Sequence, residues 1–416
     1  MKKIKSITES KAKSLDLTTA VASSLTSLGK KLASKREWWG SIEEGDDTAR
    51  SIITCLQDAD RTWSLTVHNA IGMIAAGDLQ ITISPKIPSN HFLYIVNESK
   101  IFPRVNEQHL LAAQSKSFID VVALWFIEAA EKLLRGELIK GYSEISDMLD
   151  VVRGKIQIIE TAQAFYRGSR NVYCEFEDFN TDIALNRVIK AAAEIVASGP
   201  SFEFKLRHRA KAILSRMEGV GDLQHNDLRY SLDRLTNHYR DALIFAKYLI
   251  TSAGIHIFHG AKHAWTFLIR TPDIIETGLR EILTTGLMDY WTVKKKGILL
   301  DNSKLKLMPD LNFNDGMAIG DIKYKIVSSD WVRPDLYQIT TFATGFKSKL
   351  GLVIGFNTED TSCPPPIKVG DLYINYFAWD ARDGTDPSNA AKKLVASINN
   401  WLLEQAIGIN GVTKAA

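Results

Sequence analysis

The chain has 416 residues, of which 45% are hydrophobic and 24% charged, and its formal net charge is +3. That composition excludes disordered and fibrous classes and bounds the chain to a globular protein of about two or three domains with a large core. Charge this close to balance neither demands nor excludes nucleic acid, so a partner of that kind requires a local basic surface. Cys55, Cys174 and Cys363 are far apart and form no CxxC pair, which leaves neither a disulfide framework nor a zinc site and points to a reducing cytoplasm. No apolar run of membrane-spanning length occurs, and the basic start lacks the apolar segment of a signal peptide, so no membrane association is expected.

In chain order, residues 1–38 carry Lys2, Lys3, Lys5, Lys11, Lys13, Lys30, Lys31, Lys35 and Arg36 among Ser, Thr and Ala. This composition suits a mobile or helical basic extension, the mobile form being favoured, with folded material beginning near Trp38. From residue 62 the pattern turns to strands, with Leu79, Ile81 and Ile83 alternating with Gln80, Thr82 and Ser84 after a Gly77-Asp78 turn. Pro85-Lys86-Ile87-Pro88 closes this small β unit. Lys86 is either a loop residue or a functional cation, and pattern alone favours the loop residue.

Residues 118–134 read as a core helix. The stretch 141–156 reads as a helix that passes to a strand at Gly154, flanked by Arg153 and Lys155. Residues 173–179 alternate aromatic and acidic side chains as a strand does, and their acids have no neighbouring His that would make a metal site. Helices follow over 182–197, 207–217 and 227–252. His208, His225 and His238 have no spacing that identifies ligands or a catalytic pair.

The informative stretch is 304–325. An apolar/polar run, then Asn314-Asp315-Gly316, then a second apolar run predict a β-hairpin. Pro309 lacks a ladder donor and marks a distorted strand end at Asp310. Strand alternation puts Asp321 and Lys323 on one face with Ile322 on the other. If the register brings Asp310 across, two carboxylates and an ammonium converge, a set that holds Mg²⁺ through oxygen and faces a phosphate with a cation. Upstream, Pro272 opens a helix running to about Leu287 that carries Glu276, either an extra acid beside the hairpin or simply a partner of the helix dipole. Downstream, a helix over 335–346 carries Gln338, and a strand over 350–356, a strand over 373–379 and a helix over 390–403 complete the chain.

Pro309-Asp310 followed by Asp321-Ile322-Lys323 resembles the PD-(D/E)xK nuclease motif. Further pieces in the same order are Ala70-Ile71-Gly72, Ile83-Ser84-Pro85-Lys86-Ile87, Tyr142 to Ile156, Phe179 to Arg187, Glu276, and Asp335-Leu336-Tyr337-Gln338. Together, across about 65–360, they resemble McrC, the nuclease subunit family of McrBC modification-dependent restriction systems. The resemblance implies an α+β N-terminal partner-docking region over 39–265, with a small β unit and helices, and a C-terminal α/β PD-(D/E)xK restriction-endonuclease-like domain over 266–416. It also implies a McrB-type AAA+ GTPase hexamer as partner, whose hydrolysis the chain would stimulate, and modified double-stranded DNA as substrate. Mg²⁺ would be the cofactor, with Mn²⁺ able to substitute.

On the same resemblance Asp310, Asp321 and the Ile322 carbonyl would hold the metal, while Lys323, Glu276 and Gln338 would be the remaining catalytic positions. Two departures stand out: Gly320 precedes Asp321 where a larger apolar residue is usual, and Ile275 precedes Glu276 where an aromatic is common. No P-loop occurs, so the chain is not its own nucleotide-driven motor. A catalytically silent adaptor of an AAA+ motor and a stand-alone DNA-repair nuclease are the rival readings.

Overall fold

The computed structural model describes residues 3–34, 52–60, 62–76, 79–101, 103, 118–199, 202–252, 257–259 and 262–412. They fall into two compact units, one made of Met1–Phe118 and Ile255–Ala416 and the other of Ile119–Gly254. The first stretch holds β1 (Lys3–Thr8), β2 (Lys13–Leu15), α1 (Thr19–Ser34), β3 (Ile53–Gln57) and β4 (Trp63–Val67). It continues with β5 (Ala70–Ala76), β6 (Leu79–Ser84) and α2 (Ser89–Glu98). The inserted unit holds α3 (Phe118–Leu133), β7 (Gly141–Leu149), β8 (Lys155–Ile156), α4 (Ile158–Tyr166) and β9 (Val172–Asn180). Helices α5 (Ala184–Ser198), α6 (Phe204–Ser215) and α7 (Arg240–Ser252) complete it.

The chain then re-enters the first unit through β10 (Ile257–His259), β11 (Lys262–Arg270), α8 (Pro272–Gly286), β12 (Val293–Lys294) and β13 (Ile298–Leu299). After these come β14 (Lys306–Leu307), β15 (Leu311–Phe313), β16 (Ala318–Ile326), α9 (Arg333–Gly345) and β17 (Leu350–Asn357). Last are β18 (Ile367–Val369), β19 (Leu372–Asp380) and α10 (Pro387–Val412).

Two larger sheets organise the first unit. One has the order β1-β6-β5-β11-β10 and packs over the small sheet β2-β4-β3 and α1 through Ile7, Leu15, Leu25, Leu28, Leu65 and Ile81. The other has the order β12-β15-β16-β17-β19-β18. Its central strand β17 is parallel to both β16 and β19, and from Leu350 to Phe356 every residue is buried. A strand covered on both faces reads as a continuous apolar run, which is why this one was legible. Ile339, Phe342 and Ala343 of α9 close one face against Ile319, Val353 and Ile374.

Several expectations are corrected. Residues 3–34 are helical over Thr19–Ser34 but are not a mobile extension: β1 runs parallel to β6 from Lys3↔Leu79 to Thr8↔Ser84, and Ile7, Leu15, Leu17, Leu25 and Leu28 are buried. The rest of 1–38, including the start near Trp38, lies outside the described residues, as does the Gly77-Asp78 turn. The 265/266 boundary does not divide the compact units, because β11 runs across it and pairs with β5 from Ala264↔Ala76 to Arg270↔Ala70. Residues 141–149 form a strand rather than a helix, paired residue by residue with β9 from Gly141↔Asn180 to Leu149↔Val172.

In the inserted unit, α3 buries Ile119, Val121, Val122, Trp125, Phe126 and Ile127, as its all-round apolarity requires. The predicted helix 227–252 is α-helical only from Arg240, with single 3-10 turns over Asp227–Arg229 and Asn237–Tyr239 ahead of it. Before it, Asp227 is drawn out to pair with Arg187 of α5, Nε to Oδ2 at 2.8 Å and Nη2 to Oδ1 at 2.9 Å. Among the described residues, no helix is long and apolar enough to cross a membrane.

Candidate functional site

The hairpin forms where the turn chemistry places it. Asn314, Asp315 and Gly316 all have positive φ (44°, 56° and 111°), and β15 pairs antiparallel with β16 from Leu311↔Gly320 to Phe313↔Ala318. Pro309 separates β14 from β15, and Asp310 stands at the break, 7% exposed. Its Oδ2 accepts the Ile322 N–H at 2.9 Å, which pins the first carboxylate to the strand bearing the second.

Asp321 is 2% exposed, and its Oδ2 lies 2.6 Å from Lys323 Nζ. Lys323 Nζ also donates to Gln338 Oε1 at 2.7 Å, so α9 does present Gln338 to the site. Lys325, one strand period further on, donates to buried Asp335 at 2.7 Å. Glu276 arrives from α8, which has Pro272 in its first turn and lies hard against α2: an added Cβ at Gly278 would stand 2.5 Å from the Ile95 carbonyl oxygen.

The structure therefore brings Asp310, Asp321, Lys323, Gln338 and Glu276 together. It adds one residue that sequence reasoning missed. Lys295, just past the edge strand β12, places Nζ 3.5 Å from both Glu276 Oε2 and Asp310 Oδ1. The available signal was the run Lys294-Lys295-Lys296 shortly before the hairpin. Reading it required knowing that β12 pairs with β15, Lys294 opposite Asn312.

Gly320, one of the two departures from the family pattern, has a packing reason. A Cβ there would meet Leu311 Cβ and Leu352 Cδ1 at 3.0 Å each, so its two neighbouring strands supply the bulk that the residue lacks.

The electrostatics follow from crowding acids in a half-dry place. Burial, then the Asp310 charge, pushes the Glu276 carboxyl up to about 8, against the pull of Lys295. Burial likewise pushes Asp321 up to about 7, with Lys323 lowering it and Asp310 raising it. Burial works against the Lys323 charge, but the Asp321 carboxylate outweighs it and holds the ammonium above its ordinary value. A nearby cation would relieve the repulsion that keeps these carboxylates from ionising together.

Among the described residues no three acidic, His or Cys side chains close into a ready metal cage. The donors on offer are Asp310, Asp321 and the Ile322 backbone. That sparse set fits Mg²⁺, which takes one or two carboxylates and keeps several waters.

Comparison with known proteins gives the lineage. Residues 65–354 match the family described as McrBC 5-methylcytosine restriction system component. The chain belongs to this McrBC family. It is 18% identical over 173 residues to the type IV methyl-directed restriction enzyme EcoKMcrBC of Escherichia coli strain K12, covering 41% of this chain and 50% of the relative. The chain thus spans about half the length of that curated McrBC relative.

Its fold superposes on a chain from the half-complex of the tetradecameric assembly of Thermococcus gammatolerans McrB AAA+ hexamers with bound McrC. The TM-score is 0.67 at 14% identity, covering 96% of this chain and 100% of that one. All the gathered site residues lie within the McrBC match.

Proposed function

We propose that the chain is the nuclease subunit of a McrBC-type restriction complex, hydrolysing phosphodiesters of modified double-stranded DNA with Mg²⁺. The observation that carries this reading is the convergence of Asp310 and Asp321, tied by the Asp310–Ile322 bond, beside a Lys323 ammonium fixed by Asp321 and Gln338. The PD-(D/E)xK assignment of the C-terminal sheet rests on the same residues and on the mixed order of β15 to β19.

Bound at Asp310, Asp321 and the Ile322 carbonyl, Mg²⁺ would supply an acidified water and positive charge for the developing phosphorane. Lys323 holds its proton throughout and presents the ammonium to the scissile phosphate, oriented by Gln338 from the far side. Asp321 holds that ammonium, and Glu276 keeps a carboxyl beside Asp310 with Lys295 between them. Lys294 and Lys296 are exposed on the adjoining edge and suit a DNA backbone contact.

We place the partner, a McrB-type AAA+ hexamer, on the inserted unit, and assign to that contact the stimulation of the partner's nucleotide hydrolysis. Tyr142, Ile158, Ile159, Phe165, Tyr166 and Phe179 of β7, α4 and β9 are all more than half exposed, with Tyr166 at 91%. Exposed apolar and aromatic side chains in that number suit a partner surface.

The test is cleavage of methylated duplex by this chain with its AAA+ partner, Mg²⁺, and nucleoside triphosphate present or omitted. Cutting that requires both partner and nucleotide is the expected result. No cutting would favour a silent adaptor, and cutting without nucleotide a stand-alone repair nuclease.

A further inference from the structure

The strand that carries Asp321 and Lys323 is irregular where it matters. β16 pairs in register with β17 through Ile322↔Ile354, then shifts before Ile326↔Phe356. Lys323, Tyr324 and Lys325 lie in that shift. A bulge leaves backbone groups without ladder partners and re-aims side chains, so whatever satisfies those groups sets where the side chains go.

Here the partner comes from the other sheet. Lys86, in the turn after β6, donates from Nζ to the Tyr324 carbonyl at 3.1 Å and from its backbone N–H to the Tyr324 hydroxyl, also at 3.1 Å. The same ammonium lies 4.6 Å from the Tyr324 ring centroid. One residue therefore grips the carbonyl, the ring and the hydroxyl of the residue next to Lys323. By alternation Lys323 projects towards Asp321 and Gln338, while the Tyr324 ring lies on the opposite face against Phe356, 5.5 Å between centroids.

Behind this grip is Glu9, wholly buried, which accepts a hydrogen bond from the Thr271 hydroxyl and stands beside the Tyr324 hydroxyl. Thr271 immediately precedes α8, the helix of Glu276. Burial pushes the Glu9 carboxyl up to about 7, and Lys86 is the main charge opposing that rise. The lysine that pattern alone assigned to a loop is thus the countercharge of a buried acid and the support of a catalytic strand.

We propose that Lys86 is a positioning residue for the nuclease site, holding the Tyr324 carbonyl so that the bulge in β16 sets the Lys323 ammonium beside Asp321. This rests on the nuclease reading above. Its competitor is a purely structural role in which Lys86 only balances the charge of Glu9.

Two variants separate these. Lys86→Met alone leaves Glu9 buried without a countercharge and is expected to lower the unfolding temperature. Glu9→Gln/Lys86→Met removes both charges and is expected to recover most of that loss. Both are assayed well below their transitions, in complex with the partner, by single-turnover cleavage of methylated duplex and by hydrogen exchange of 318–326.

The expected result is a rate lowered about tenfold or more in both variants, as for loss of a residue that orients a ligand. Half-saturation by DNA should stay within about twofold, and exchange in 318–326 should be faster than in wild type. A double variant that cuts at the wild-type rate overturns the proposal and leaves Lys86 with charge balance alone. A wild-type complex that does not cut removes the nuclease reading itself and this inference with it.

Discussion

Glu276→Gln tests whether the fold holds an acid in a place that disfavours its charge. The folded carboxyl titrates near 8, against an ordinary 4.5, because it is buried and next to Asp310. As pH rises from about 4.5, the unfolded chain gives up this proton first. The folded state is therefore stabilised relative to the unfolded one at low pH and loses that advantage up to about pH 8, after which the curve is flat.

At 1.36 kcal/mol for each pKa unit, the loss between about pH 5 and pH 7.5 comes to about 3 kcal/mol. The side chain is 23% exposed, and solvent screening trims the figure to about 2 kcal/mol. In a unit of this size that is about 4 °C in unfolding temperature. The assay is thermal unfolding of both proteins in chelator across this range. Glu276→Gln should follow a flatter curve than wild type and exceed it by the largest margin near pH 8. Parallel curves would refute the claim that burial and Asp310 hold this carboxyl neutral.

Three other outcomes follow from particular contacts. Gln338→Leu removes the oxygen that accepts from Lys323 at 2.7 Å, and single-turnover cleavage should fall about tenfold with folding intact. Gly320→Ala forces a methyl against Leu311 and Leu352 at 3.0 Å, and chemical denaturation should show a loss of about 1–3 kcal/mol. Replacing Ile158 and Tyr166 together with Asp places charge on the exposed face of α4, and sedimentation should show loss of the complex with the AAA+ partner while the free chain stays folded.

What the sequence made legible was local. Asn314-Asp315-Gly316 encodes a turn by its own backbone preferences, and alternation then places Asp321 and Lys323 on one face whatever the rest of the chain does. Pro272 marks the helix start that brings Glu276 into range. What stayed hidden depends on distant pairing. Lys295 enters the site only because β12 joins β15, and Lys86 only because a turn after β6 meets a bulge in β16.

Residues 3–34 carry so many lysines that Ile7, Leu15, Leu25 and Leu28 looked incidental. β1 is nevertheless held by a parallel partner beginning at Leu79. The strand at 141–149 escaped notice for a related reason. None of its residues is fully buried, so it shows no apolar stripe, and its backbone ladder with β9 defines it.

In the proposed nuclease, Asp310 and Asp321 gather a metal at which DNA is cut. The most direct measurement is single-turnover cleavage of methylated duplex with Mg²⁺ by the partner complex, comparing wild type with Asp321→Ala. Cutting is expected to fall at least about a hundredfold while stimulation of the partner's nucleotide hydrolysis persists. Equal cutting by the two proteins would contradict this role of the two acids.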